Sequence, residues 1–236
     1  MRTFSTYDSK TITEEEKRPY VYKNLALLMA GDWFLEKEIA KTITDSIPAI
    51  DRFEKREGLE DPEETELSKL IKEPIKEVYT LPMFSKEFCT MLVDEIGNME
   101  KLIGFTPNEE EMPQHRINEF VLQHHAKDLY ISLMKIVLSK MNVVFETIWN
   151  RQVAGGGIQL ANYNPRKIVQ TAWHHDALSD ISVVVPLNTG DYEGGGTEFF
   201  KRGIVEPLPT GNALIFPSFT HLHRGLPVKK GDRYLL

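Results

Sequence analysis

Gly155-Gly156-Gly157-Ile158-Gln159-Leu160-Ala161-Asn162-Tyr163 is the stretch at which the chain changes period. Before the glycines, apolar residues recur every three or four positions; after them they alternate with polar ones to the end of the sequence. Candidate strands downstream are 158–163, 168–173, 181–187, 197–200, 204–206, 213–216, 220–224 and 233–236. Turn-forming residues separate them: Asn164-Pro165, Thr189-Gly190-Asp191, Pro209-Thr210-Gly211 and Lys229-Lys230-Gly231-Asp232. Many short strands with regular turns predict a sandwich or jelly roll, whose paired sheets leave a mouth for a small ligand.

Upstream of the glycines the reading is helical. Leu129, Leu133, Ile136, Val137, Met141, Val144, Phe145 and Ile148 lie on one helical stripe. His124 and His125 fall at the start of that pattern, where adjacent residues do not share a face, so both read as surface or packing residues. Residues 104–116 have loop composition and include the acidic run Glu109-Glu110-Glu111, a solvated loop or an attractor of basic peptide. Phe88, Leu92, Ile96 and Met99 form a second stripe, with Ser85 as N-cap and Glu87 in the first turn. Cys89 lies beside this stripe and reads as a small core residue. A short strand is predicted at 77–81, before Pro82.

Further back, residues 54–66 are almost all charged and mark a soft boundary. The chain is therefore divided into a helical N-terminal extension, 1–75, and a second domain, 76–236. Within the extension, Leu25, Leu28, Met29, Phe34, Leu35, Ile39, Ile43 and Ile47 suggest helices between residues 20 and 53. Residues 1–19, with Glu14-Glu15-Glu16-Lys17-Arg18, read as a frayed polar tail.

A length of 236 residues is ample for a full core. One cysteine excludes an internal disulfide, and the N-terminus has no signal-peptide pattern, so the expected compartment is the cytoplasm. No apolar run is long enough to cross a bilayer. A net charge of −7 disfavours nucleic acid as the main partner.

The chemistry concentrates after the glycines, in His174-His175-Asp176, Thr220-His221-Leu222-His223 and Gly231-Asp232-Arg233-Tyr234. On a strand, residues two apart share a face, so His174 and Asp176 can reach one metal while His175 points the other way and reads as structural. Two imidazoles and one carboxylate on one side of an ion form the facial triad of non-heme Fe(II) oxygenases. Either His221 or His223 can supply the third ligand; two apart on one strand, they lie roughly 6.5–7 Å apart, too far for both to join one compact triad. The turn at 227–232 is expected to fold the last strand back antiparallel, with Arg233 nearly opposite His223. A planar guanidinium there suits the far carboxylate of a dicarboxylic cosubstrate. Gly194-Gly195-Gly196 reads as a turn permitting close backbone approach, since no Gly-Lys-Ser/Thr follows it.

With Tyr163-x-Pro165, Trp173-His174-His175-Asp176-Ala177, Asp191-Tyr192-Glu193-Gly194-Gly195-Gly196, His221-Leu222-His223-Arg224-Gly225-Leu226-Pro227 and Gly231-Asp232-Arg233-Tyr234 in this order, the chain from about Lys76 onward resembles the catalytic domain of procollagen lysyl hydroxylases. These are Fe(II)- and 2-oxoglutarate-dependent dioxygenases. The resemblance implies an α+β chain with a double-stranded β-helix (jelly-roll) core and flanking helices. It also implies His174, Asp176 and His223 as Fe(II) ligands, Arg233 as partner of the 2-oxoglutarate C5 carboxylate, and Tyr163 as a wall of that pocket. Implied reactants are Fe(II), 2-oxoglutarate and dioxygen, with ascorbate as accessory reductant, acting on a lysine-containing protein or peptide. Proline, or a small molecule such as a free amino acid, is the alternative substrate. A homodimer is compatible with the sequence, and a non-catalytic metal-binding jelly roll is the reading from another class.

Overall fold

A computed structural model describes residues 35, 37–43, 45, 66–107, 117–176 and 178–236. The expected tail 1–19, most of 20–53, nearly all of the charged connection 54–66 and the acidic run Glu109–Glu111 lie outside the described residues. Residues 37–43 are helical and bury Ile39 and Ile43, while Leu35 bridges Phe84.

Helix α1 (Glu66–Leu70) leads into the hairpin of β1 (Lys72–Ile75) and β2 (Val78–Pro82). Helix α2 (Lys86–Ile103) starts where expected, because the Ser85 hydroxyl accepts the Phe88 N–H at 3.2 Å. Its stripe of Phe88, Leu92, Ile96 and Met99 is fully buried. Strands β3 (Thr106–Pro107) and β4 (Asn118–Val121) follow, then short α3 (Leu122–His125). The predicted long helical stripe is α4 (Lys127–Ile136), a π-helical turn (Val137–Met141) and α5 (Asn142–Trp149). Beyond Gly157 come β5 (Gln159–Tyr163), β6 (Ile181–Val184), β7 (Glu193–Gly194), β8 (Thr197–Phe199), β9 (Gly203–Val205), β10 (Asn212–Pro217), β11 (His223–Gly225), β12 (Val228–Lys230) and β13 (Arg233–Leu235).

Every ladder is antiparallel, and the strands form two layers. The larger joins β1-β2-β10-β6 to β13-β5-β4-β3, because residues past the end of β6 run beside β13. There the Val185 N–H donates to Leu236 O at 2.7 Å, and the Leu236 N–H returns to Val185 O at 2.9 Å. The smaller layer contains β11-β8-β9 and β12-β7, tied by the Leu226 N–H to Gly196 O and the Gly195 N–H to Pro227 O. Phe199 and Val205 of the smaller layer pack on Leu214 and Phe216 of β10, which closes one layer on the other. On the reverse face of β10, Ala213 and Ile215 pack against α2, α4 and α5 with Leu35, Ile39, Ile43 and Leu67. Each fully buried Leu, Ile or Phe of this kind contributes roughly 1.5–3 kcal/mol.

Three features differ from the sequence expectation. Residues 168–173 form no strand: Val169 O accepts the Val228 N–H, but regular pairing begins and ends at the single His174–His223 bridge. The last strand does not fold back on the strand carrying His223. Instead β12 pairs with β7, and β13 crosses to the larger layer, where Arg233 stands opposite Tyr163. Strand β4 lies in a region read as loop and helix; all four of its residues are buried, so no alternation marks it.

Candidate metal and cosubstrate site

His174 and His223 are brought together by their own backbone: the two residues exchange N–H···O bonds of 2.9 and 3.0 Å, and their rings lie 4.3 Å apart. Asp176 reaches the same point, with Oδ1 3.5 Å from His174 Nε2 and Oδ2 3.7 Å from His223 Nε2. One ligand atom from each of the three residues lies within 4.8 Å of the others. Among the described residues no other group of three His, Cys, Asp or Glu side chains clusters in this way.

Both rings are held in the same tautomer. His174 Nδ1 lies 2.8 Å from Ala172 O and His223 Nδ1 2.9 Å from His221 O, so each Nδ1–H donates to a carbonyl two residues earlier. Each Nε2 is left with a lone pair facing the centre, the arrangement that orients ligating histidines. Burial pushes the His223 imidazole below its usual pKa against the attraction of Asp176, which keeps it neutral at pH 7 as a ligand must be. The donor set is two imidazole nitrogens and one carboxylate oxygen, which suits a divalent first-row ion such as Fe(II).

His221 occupies a different environment. It precedes β11 rather than lying on it, and its fully buried ring sits against Phe199 and Phe216. Its Nδ1 is 2.9 Å from Thr220 Oγ1 and its Nε2 is 3.4 Å from Lys76 O. Burial lowers its pKa, so acid must force a charge into an apolar pocket. The unfolded state then binds more protons, and stability is expected to fall as pH drops below about 6.5, levelling off below the folded-state value. Urea midpoints between pH 7.5 and 5 check this: His221→Gln should flatten the dependence, and an unchanged slope would contradict it. His175 is exposed, whereas His174 and Asp176 on either side of it are half-buried. His125 Nδ1–H donates to Val121 O at 2.7 Å, and the ring packs edge-on against Phe120, a helix-packing position.

Arg233 is 4% exposed, yet among the described residues it has no carboxylate partner. Its Nη1 reaches Gly196 O at a long 3.4 Å, and its Nε has no hydrogen-bond partner among the described residues. The guanidinium lies 5.6 Å from the Tyr163 ring and 6.0 Å from the Tyr192 ring. Backbone crowds it on two sides: a Cβ on Gly195 would meet Arg233 Cδ at 3.2 Å, and one on Gly225 would meet Nη1 at 3.9 Å. Both φ +79° and this contact make Gly195 a position for glycine. A buried cation without an internal anion is costly unless a ligand supplies one, and this guanidinium fits a carboxylate.

Asn188 fixes the arginine from behind. Its Nδ2 donates to Asp232 O at 2.8 Å and its Oδ1 accepts the Tyr234 N–H at 2.9 Å, so it grips the backbone on both sides of Arg233. Thr171 Oγ1 accepts the Gly225 N–H at 2.7 Å, which holds the strand after His223. Neither residue was singled out in the sequence, where nothing separates a turn Asn or a lone Thr from its neighbours. Ser182 was legible in principle, as a polar residue on the inward phase of an apolar strand.

The sequence model of the OGFOD2-like domain matches residues 31–145, just under half of the chain. A multifunctional procollagen lysine hydroxylase and glycosyltransferase of Caenorhabditis elegans is 28% identical over 171 residues, 68% of this chain and 23% of that protein. Human procollagen-lysine,2-oxoglutarate 5-dioxygenase 2 is 28% identical over 177 residues, 70% of this chain and 24% of its own. The chain thus spans about a quarter of the length of these relatives. Among solved structures, a Pseudomonas putida prolyl-4-hydroxylase superposes with TM-score 0.52 at 18% identity, covering 67% of this chain and 89% of that one. A Trichoplax adhaerens prolyl hydroxylase in complex with a hypoxia inducible factor peptide superposes with TM-score 0.53 at 13% identity, covering 84% and 89%. A Burkholderia pseudomallei protein of the 2OG-Fe(II) oxygenase family gives 0.50 at 14% identity over 68% and 83%. In fold, in matched sequence and in the clustering of His174, Asp176 and His223, the chain resembles the 2-oxoglutarate- and Fe(II)-dependent oxygenases.

Proposed function

We propose that the chain is an Fe(II)- and 2-oxoglutarate-dependent dioxygenase that hydroxylates a side chain of a protein or peptide, lysine first and proline second. Its two antiparallel layers are read as a double-stranded β-helix, with residues 1–75 as an extension whose Leu35, Ile39, Ile43 and Leu67 join the core of 76–236. The observation that carries the reading is the guanidinium of Arg233, buried with no anion among the described residues, in the fold that also assembles His174, Asp176 and His223. A metal-binding module without turnover has no use for it.

In this reading His174, Asp176 and His223 hold Fe(II), Arg233 pairs with the C5 carboxylate of 2-oxoglutarate, and Tyr163 lines the same pocket. When bound, Fe(II) and 2-oxoglutarate would supply the two-electron chemistry that splits dioxygen, one oxygen atom ending in succinate with release of carbon dioxide and the other in the hydroxyl of the substrate. The chain's own part is placement and exclusion of water. Lysine is put first because the relatives in sequence are named as procollagen lysine hydroxylases, and proline second because solved structures of the same fold are named as prolyl hydroxylases.

Purified protein with Fe(II) and ascorbate is expected to convert 2-oxoglutarate to succinate, slowly without substrate. Given a mixed library of collagen-like Gly-x-Lys peptides and unrelated lysine peptides, at least one lysine should gain one oxygen by mass spectrometry. Oxygen appearing only on free amino acids or other small molecules would refute the protein-substrate reading. No succinate and no 2-oxoglutarate-dependent metal absorption band would leave a binding module.

A further inference from the structure

We infer that Ser182 and Ser218 are positioning residues for the Asp176 carboxylate, holding one of its oxygens so that the other stays available to a divalent cation. The inference rests on the metal-site reading above and adds two residues to it. Ser182 lies on β6 opposite Phe216 of β10, and Ser218 continues the same ladder, its N–H donating to Asp180 O at 3.0 Å. Both side chains are buried, Ser182 at 7% and Ser218 at 0% exposure. The Ser182 hydroxyl donates to Asp176 Oδ2, and the two serine oxygens are 2.8 Å apart.

A hydroxyl has one proton to give. With the Ser182 proton committed to the carboxylate, the Ser218 hydroxyl must be the donor in the second bond. The order is therefore fixed as Ser218 to Ser182 to Asp176, each bond strengthening the next. Asp176 sits at the start of a loop that bonds back on itself, Ser179 N–H to Asp176 O at 3.1 Å, while Leu178 at its crest is 79% exposed. The strands thus fix the carboxylate through Ser182 where the loop alone does not. Oδ2 accepts the hydroxyl while also lying 3.7 Å from His223 Nε2, and Oδ1, 3.5 Å from His174 Nε2, is the oxygen this bond leaves free for a metal. Coordination through a single oxygen also keeps neighbouring positions of the ion open to a two-point cosubstrate and dioxygen.

The test uses Mn(II) binding to the apoprotein, followed by calorimetry, with the wild type, Ser182→Ala, Ser182→Thr, Ser218→Ala and the double alanine variant. Loss of an orienting partner lowers metal affinity by roughly 10–100-fold, the loss expected of Ser182→Ala. Ser182→Thr, which keeps the hydroxyl, should restore most of it. Ser218→Ala should weaken binding by less, and should add nothing in the Ser182→Ala background, since its effect runs through Ser182. Wild-type affinity in Ser182→Ala, failure of threonine to rescue, or a full Ser218→Ala effect in the double variant would each overturn the inference. Urea unfolding of the apoproteins separates a general loss of fold, which would lower the Thr and Ala variants alike. Failure of the wild type itself to bind Mn(II), or binding unchanged in Asp176→Ala, would instead bring down the metal-site reading and this inference with it.

Discussion

His223→Ala is expected to abolish stoichiometric iron binding and, with it, all turnover. His223 is 6% exposed, its Nδ1 is committed to His221 O, and its neutral Nε2 faces Asp176. Removal takes away one of the three donors that cluster among the described residues, so the loss should exceed the roughly 10–100-fold that follows from removing a mere orienting partner. The partner variant makes the comparison sharp. His221→Ala deletes an equally buried imidazole two residues away, but one directed at Lys76 O and Thr220 rather than at the cluster. It should keep the metal, with activity reduced at most and apo stability lowered by about 1–3 kcal/mol for the cavity and lost polar contacts. Iron quantified per chain after gel filtration reads both variants. A His223→Ala protein that retains iron and turns over, or iron lost equally from His221→Ala, would overturn the assignment.

The choice between these two histidines illustrates what sequence could and could not deliver. Period-two alternation located β5, β6, β8, β9, β10 and β13 to within a few residues, because each has one face on the layer interface and the other toward helices or solvent. It failed for β4, buried on both faces, and for β7 and β12, which are two and three residues long and contain or adjoin glycine. Spacing placed His174 and Asp176 together, and the structure has them within 3.5 Å. Placing Arg233 required knowing which layer its strand joins. A local turn predicts pairing with the preceding strand, whereas the chain crosses to β5 just after Gly231, where φ is +79° and a Cβ would clash with Asp191 O. Long-range pairing of this kind leaves no mark on local periodicity. Ser218, Asn188 and Thr171 act through contacts 36 to 54 residues away in sequence, which one chain read alone does not reveal.

Arg233→Met is expected to lower 2-oxoglutarate affinity on the order of 100-fold while leaving metal affinity intact, and to leave the apoprotein at least as stable as the wild type. The two halves have one cause. Arg233 is buried opposite Tyr163 with no anion and no Nε partner among the described residues, so in the free protein its charge is desolvated against only one long bond to Gly196 O and two tyrosine rings. Methionine of similar volume keeps the packing between Tyr163 and Tyr192 and removes that cost. The same charge becomes favourable only when a carboxylate arrives: a hydrogen bond to a charged group is worth roughly 1.5–3 kcal/mol, and a bidentate pair makes two. Arg233 lies outside the His174, Asp176, His223 cluster, which is why the metal should stay. Calorimetry of 2-oxoglutarate binding to the metal-loaded proteins, with urea midpoints of the apoproteins, reads both halves. Equal 2-oxoglutarate affinity in wild type and variant would remove Arg233 from the cosubstrate site. A variant that loses affinity but is also clearly less stable would show that the guanidinium is held by the protein itself, and the charge would then no longer point to a ligand.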